Sequence, residues 1–282
     1  MATSLYSPIT VAAVKAPINF LRPMTERPVA YQFDPPPGVP KRTGEHDPHL
    51  VSIRNARPFA EELSLDHEGF ELVHAPSGYV DFSNEAAIRR HYYRDVERVL
   101  KAATGAAKVI AFDHNIRNAA RAARREPGIR EPVSRAHNDF TARSGHERAR
   151  LELEARGVAV DPLMFGHFAI INLWRPIGRP VEKWPLALCD ATTIQDSDLV
   201  ASDLVYRDRV GETYSLTYHA RQRWYYFPRL ATDEAILIKG YDSRKSGVAR
   251  FTPHTAFHDT TARLHAPERE SIETRAFVIY PD

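Results

Sequence analysis

His137-Asn138-Asp139 and the more distant His254 are the residues of this chain whose types and spacing could do chemistry together. On an extended strand, residues i and i+2 point to the same face, so the imidazole of His137 and the carboxylate of Asp139 can reach one ion. Phe251-Thr252-Pro253-His254 supplies a second imidazole downstream of an apolar run that reads as a strand. Two imidazoles and one carboxylate on one face of a metal leave three coordination positions open, a donor set suited to non-heme iron(II) and dioxygen chemistry. The HxD fragment alone is a short pattern that arises often by chance, so its meaning rests on the elements around it.

Those elements are predominantly strands. Residues 168–174, 213–218, 224–227, 235–239 and 273–280 are rich in β-branched and aromatic side chains and are separated by turn signals at Gly178, Pro180, Asp233 and Gly247. Ahead of them, Ile88, Tyr92, Val96, Val99 and Ala103 form one apolar stripe, predicting a helix over 84–104 with Ser83 as N-cap and Gly105 as its stop. Residues 108–112 read as a short buried strand, and a second helix is expected over 145–156, ending at Gly157. Residues 1–50 contain Pro35-Pro36-Pro37 and Pro40 and too few apolar side chains for a core. They are expected to wrap the core as an extended arm with one strand near 29–33. The predicted architecture is α+β, with a double-stranded β-helix (a jelly roll) as the core of a single domain over 51–282, flanked by helices.

Bulk properties restrict the function. The composition, 43% hydrophobic and 26% charged with a formal charge of +2, is that of a soluble globular protein and points to no nucleic-acid partner. The cluster Arg117, Arg121, Arg124, Arg125 and Arg130 reads as a solvated face, since no aromatic residues interleave it. No apolar run approaches the roughly 18 residues needed to span a bilayer, and Met1–Leu5 does not open like a secretory signal. The single cysteine, Cys189, excludes an intramolecular disulfide framework and reads as a small core residue. A cytoplasmic enzyme acting on a small molecule, with neither membrane nor nucleic-acid partner, is the expectation.

After His254, Arg269 and Ser271 stand two residues apart at the start of the last predicted strand. A guanidinium and a hydroxyl on one strand face can grip a carboxylate together, and the planar arginine fork suits that role. Arg275 has the same parity and is an alternative, with Arg263 a third. Asn172 and Trp174 share a strand face and are candidates for contact with cosubstrate or substrate. Tyr225 and Tyr226 have opposite parity, so one at most lines a cavity, and Tyr226 is taken as the substrate contact. Arg175 and His114 are read as structural, and His258 is not read as a ligand.

Arg269-x-Ser271 resembles the anchor for the distal carboxylate of 2-oxoglutarate in plant-type dioxygenases. The stretches 137–141 with Ser144-Gly145, 172–176, 185–190, 224–228, 241–243, 251–257 and 269–273 together resemble one family of iron(II)/2-oxoglutarate oxygenases. That family includes fungal hydroxylase/desaturases, meroterpenoid endoperoxidases and a bacterial protein of cephamycin 7α-methoxylation. The resemblance spans roughly residues 50–280. It implies a jelly-roll enzyme using iron(II), 2-oxoglutarate and dioxygen, with His137, Asp139 and His254 as metal ligands and catalytic centre. Such an enzyme would hydroxylate, desaturate or cyclise a small natural-product-type metabolite while 2-oxoglutarate is decarboxylated to succinate. Two other readings of the residues stay open: a cupin-like hydrolase or isomerase using another divalent metal, and a jelly-roll scaffold without catalysis.

Overall fold

The structure is a computed structural model that describes residues 11–79, 81–158 and 166–281; the start of the chain, Met1–Leu5 included, lies outside them. Its strands in the first half are β1 (Ala13–Leu21), β2 (Val29–Tyr31), β3 (His46–Asn55), β4 (Phe70–His74), β5 (Lys108–Arg117), β6 (Ile129–Arg130) and β7 (His137–Asn138). The second half adds β8 (Phe168–Pro176), β9 (Leu186–Cys189), β10 (Leu199–Val205), β11 (Val210–Leu216), β12 (Trp224–Tyr226), β13 (Glu234–Asp242), β14 (His254–Ala256) and β15 (Ser271–Ile279). A nine-stranded sheet runs β1-β3-β12-β9-β14-β7-β11-β10-β2, and a six-stranded sheet runs β4-β13-β8-β15-β5-β6.

The two sheets pack as a jelly roll. Trp174, Ile236 and Ile238 of the smaller sheet meet Leu186, Leu188 and Tyr225 of the larger one in a single buried cluster. Alternation along β8 and β15 explains why both faces are apolar. Ala169, Ile171, Leu173, Ile272, Ala276 and Val278 point outward, while Phe168, Ile170, Phe277 and Ile279 point inward. The outward face is covered by the expected long helix. It begins as α1 (Glu85–Ala87), passes through a π-helical turn (Ile88–Tyr92) and continues as α2 (Tyr93–Thr104), burying Ile88, Tyr92, Val96 and Leu100. Each large side chain so buried contributes about 1.5–3 kcal/mol relative to exposure. Gly105 ends the helix in the left-handed conformation at φ 67°. The N-cap is Asn84 rather than Ser83, because the Ser83 hydroxyl is engaged with Asp81 while Asn84 accepts from the Ala87 amide at 3.0 Å.

Two further helices are α3 (Ala119–Ala123) and α4 (Ala142–Glu154). The fourth starts three residues before the expected 145, capped by Thr141 and Ser144 in a reciprocal box. It lies close on the smaller sheet: a Cβ at Gly145 would stand 2.4 Å from the Tyr241 ring. The proline-rich arm holds more structure than one strand. Alternation in β1 buries Val14, Ala16, Ile18 and Phe20, and β1 pairs along its length with β3.

Candidate metal centre

Pairing between β14 and β7 closes the gap between the two motifs. His254 is the register partner of His137, an antiparallel match that sets the imidazoles side by side with ring centroids 4.7 Å apart. Asp139 follows β7 on the same side as His137, and the three side chains offer ligand atoms within 4.8 Å of one another. The Nδ1 of His137 donates to the Arg135 carbonyl at 2.8 Å, and that of His254 to the Thr252 carbonyl at 3.0 Å. A carbonyl can only accept, so both Nδ1 atoms carry the proton and both Nε2 lone pairs are free for a metal, a tautomer fixed by the backbone.

Asn138, between the two ligands, was not singled out by sequence reasoning. Fully buried, it donates to the carbonyls of Phe140 at 2.6 Å and Gly240 at 2.8 Å and accepts from the Thr252 amide at 3.0 Å. One carboxamide thus ties the HxD segment to β13 and to the residues that carry His254. A polar residue in the middle of HxD was the available signal, but its partners come from other strands.

The opposite sheet supplies the surroundings of Asp139. Asn172 donates to its Oδ2 at 2.7 Å and Arg275 Nε to the same oxygen at 3.0 Å. Arg275 also pairs with Glu273 at 2.6 Å and Asp113 at 3.2 Å, so its fork is filled by carboxylates of the protein. Glu273, likewise missed, lies on the same face of β15, its other oxygen 3.9 Å from His254 Nε2. Burial works against charge on Asp139, but the Arg275 guanidinium outweighs it and holds the carboxyl well below the usual carboxylate range.

Arg269 is in a different state. It is 3% exposed, lies over the Trp174 ring at 5.3 Å and donates Nη1 to the Trp184 carbonyl at 2.6 Å. Its Nε, the Ser271 hydroxyl and Asn172 Oδ1 are buried without a hydrogen-bond partner. Burial, with Arg117 adding to it, pushes the Arg269 guanidinium down to about 9. Buried polar groups left unpaired cost about 1–3 kcal/mol each; Arg269 Nε and the Ser271 hydroxyl can both donate to a carboxylate-bearing guest, whereas Asn172 Oδ1, an acceptor, cannot pair with one. Arg263 is excluded as an anchor: it sits at the surface and pairs with Glu182.

The remaining expectations divide. His114 is structural, bonded to Tyr93 and Glu85 at 3.0 Å each. Arg175 donates to the Thr232 carbonyl, His258 packs edge-on against Trp184, and Cys189 is fully buried in the core. A cavity of about 1070 Å³ opens beside His137, Asp139 and Arg275, and neither Trp174 nor Tyr226 lines it. Both are buried, Trp174 against Arg269 and Tyr226 on Phe257. The arginine cluster at 117–130 divides. Arg121 and Arg124 do pair at the surface with Glu126, but Arg117 and Arg130, register partners on β5 and β6, line the cavity.

Burial, with the neighbouring His254 adding to it, pushes the His137 imidazole down to about 3 from the ordinary 6.5. The unfolded chain therefore binds more protons between those values, and the metal-free protein loses stability as pH falls from about 6.5 toward about 3. Asp139, shifted downward, stabilises the fold above its unfolded value of 3.8 and loses that contribution as pH drops further. Urea unfolding across this range measures the slope; a His137→Gln profile as steep as the wild-type one contradicts the assignment.

A jelly roll whose sheets enclose two metal-ready imidazoles, a carboxylate and an unsatisfied arginine-serine pair has the make-up of a mononuclear metal oxygenase with an acidic cosubstrate. Comparison with known proteins agrees. A family model described as "Oxidoreductase/YMDC permease-like domain" matches residues 18–279. Among the described residues, no helix is long and apolar enough to cross a membrane. An alpha-ketoglutarate-dependent dioxygenase of Talaromyces stipitatus is 32% identical over 84% of this chain and 88% of its own length. An Fe(II)/2-oxoglutarate-dependent dioxygenase of Aspergillus novofumigatus is 30% identical over 90% of this chain and 91% of its own. The solved iron and alpha-ketoglutarate-dependent endoperoxidase NvfI superposes with a TM-score of 0.81 at 26% identity, covering 96% of this chain and 99% of that one. The chain belongs to this family of iron(II)/2-oxoglutarate-dependent oxygenases.

Proposed function

We propose that His137, Asp139 and His254 hold iron(II), that Arg269 and Ser271 anchor the distal carboxylate of 2-oxoglutarate, and that the adjoining cavity receives a small natural-product-type metabolite for hydroxylation, desaturation or cyclisation. The observation that carries this reading is the register match of His254 with His137 beside Asp139, with Arg269 Nε and Ser271 Oγ left unpartnered nearby. When bound, iron(II) with 2-oxoglutarate supplies dioxygen activation and removal of hydrogen from an unactivated carbon, with succinate and carbon dioxide as coproducts.

The protein's part is positioning. The backbone carbonyls of Arg135 and Thr252 aim both imidazoles, Asn138 fixes the spacing between the two ligand segments, and Arg275 with Asn172 holds Asp139 ionised. Arg269 presents a buried charge whose direction is set by Trp174 and the Trp184 carbonyl. A cupin-like hydrolase would give Arg269 and Ser271 no partner, and a scaffold would have no reason to keep either unsatisfied. Residues 1–50 act in this reading as an arm of the 51–282 domain, part of it roofing the cavity. One buried cysteine suits a reducing compartment, and the cytoplasm is the proposed location.

Anaerobic addition of iron(II) and then 2-oxoglutarate to the metal-free protein is expected to give a weak absorption band in the green that neither gives alone. Iron demonstrably bound with no such band sinks the oxygenase assignment.

A further inference from the structure

The cavity beside the metal centre has an unbalanced wall. Four carboxylates line it, and every one is already taken. Asp139 and Asp113 are bound by Arg275, Glu147 pairs with Arg150 at 2.5 Å, and Glu212 is held by Arg143 at 2.7 Å and by Arg27. Four arginines that line the cavity, Arg42, Arg117, Arg130 and Arg135, form no ion pair with any described residue, and a fifth, Arg209, lies over the Tyr206 ring at 4.3 Å. Arg117 gives one N–H to the Glu131 carbonyl at 2.8 Å, and the carboxylates that favour its charge from a distance, Glu273 and Asp139, are already bound by Arg275.

These four come from separate parts of the chain and are gathered by the fold. Arg42 is carried on the arm, tied to Ala30 by a single bridge. Arg117 and Arg130 are neighbours across the parallel pair β5 and β6, and Arg135 leads into the HxD segment. Arg117 and Arg135 are half-buried, whereas Arg42 and Arg130 are exposed at the rim. Burial disfavours the charge on Arg117. Like charges gathered in a partly desolvated cleft raise the local concentration of anions and repel cations. At about 1070 Å³ the cavity has room for a metabolite larger than 2-oxoglutarate.

We propose that Arg42, Arg117, Arg130 and Arg135 bind an oxyanion group of the substrate, so that the molecule oxidised is an organic acid or phosphate ester held by its charged end while its neutral part faces the metal. This rests on the reading of the cavity as the substrate side of the iron(II)/2-oxoglutarate site. The guanidinium fork serves carboxylate and phosphate alike, and the two are separated by experiment.

Calorimetric titrations of the anaerobic iron(II)- and 2-oxoglutarate-saturated protein with phenyl phosphate, phenylacetate and neutral benzyl alcohol test this. At least one anion is expected to bind roughly tenfold or more tightly than benzyl alcohol, given the strength of charge-assisted hydrogen bonds, and to weaken as salt is raised. The better anion identifies the group as phosphate or carboxylate. In the Arg42→Gln/Arg130→Gln double variant, whose exposed positions leave the core untouched, and in Arg117→Gln, that preference falls roughly tenfold while the green band persists. Equal binding of all three probes, or anion binding unchanged in both variants, overturns the proposal. A wild-type protein that binds the anion but shows no green band refutes the oxygenase reading and leaves the anion site standing.

Discussion

Asp139→Ala is expected to abolish iron-dependent succinate formation while leaving the fold intact. Asp139 is the one anionic member of the triad, and two donors from the opposite sheet, Asn172 and Arg275, converge on its Oδ2. Loss of an outer partner of a metal ligand typically lowers metal affinity roughly 10–100-fold, and removing the ligand itself costs more. The fold tolerates the change because Arg275 keeps Glu273 and Asp113 and is not left as a buried charge without a counter-ion. Metal content after equilibrium dialysis, succinate yield and the unfolding midpoint, measured together, separate loss of metal from loss of structure. Unchanged uncoupled turnover in this variant means that another carboxylate is the ligand, and Glu273, 3.9 Å from His254 Nε2, is then first in line.

Arg269→Ala and Arg275→Ala are expected to fail in opposite ways. Arg269 holds an unpartnered buried Nε beside an unpartnered Ser271 hydroxyl, so its loss removes charge-assisted hydrogen bonds worth about 1.5–3 kcal/mol each. The concentration of 2-oxoglutarate giving half-maximal turnover rises roughly 10–100-fold on that basis, with iron affinity unchanged. Each nitrogen of Arg275 already donates to a carboxylate of the protein, to Asp139, Asp113 or Glu273. Its loss leaves three carboxylates facing one another beside the ligands and lowers iron affinity roughly 10–100-fold, as removal of an orienting partner does. Titration of each variant with iron(II) and with 2-oxoglutarate distinguishes the two, and a reversed pattern exchanges their roles.

That contrast marks how far the chain alone could be read. Parity placed Arg269 with Ser271, and Arg275 with both, because side-chain direction along a strand is local. The same period put Asn172 and Trp174 on one face of β8, and the 3.6-residue stripe gave the long helix and its Gly105 stop. Chemistry was equally local in His137-x-Asp139, where residue type and a two-residue step suffice to aim two ligands together. Strand β1 is not evident from the sequence because Pro17 and the proline-rich context mask an alternation that becomes meaningful only once β3 pairs with it.

Occupancy is not a local property. Nothing near Arg275 in sequence, apart from Glu273, reveals that Asp139 and Asp113 will claim its donors, and nothing near Arg269 reveals that none will claim its Nε. Trp174 and Tyr226 carry the right chemistry for a pocket, yet sheet packing buries both in the core. Arg117 and Arg130 look solvated in a run of arginines until β5 and β6 turn them into one wall beside Arg135. The sequence by itself determined the donor types, the strand parity of the HxD pair and the membership of the fold class, since each depends on residues a few positions apart. Only the tertiary structure decided which arginine keeps an unpartnered donor, which aromatics are packed and where unbalanced charge gathers, because those depend on which distant groups the fold brings within reach of each hydrogen-bonding atom.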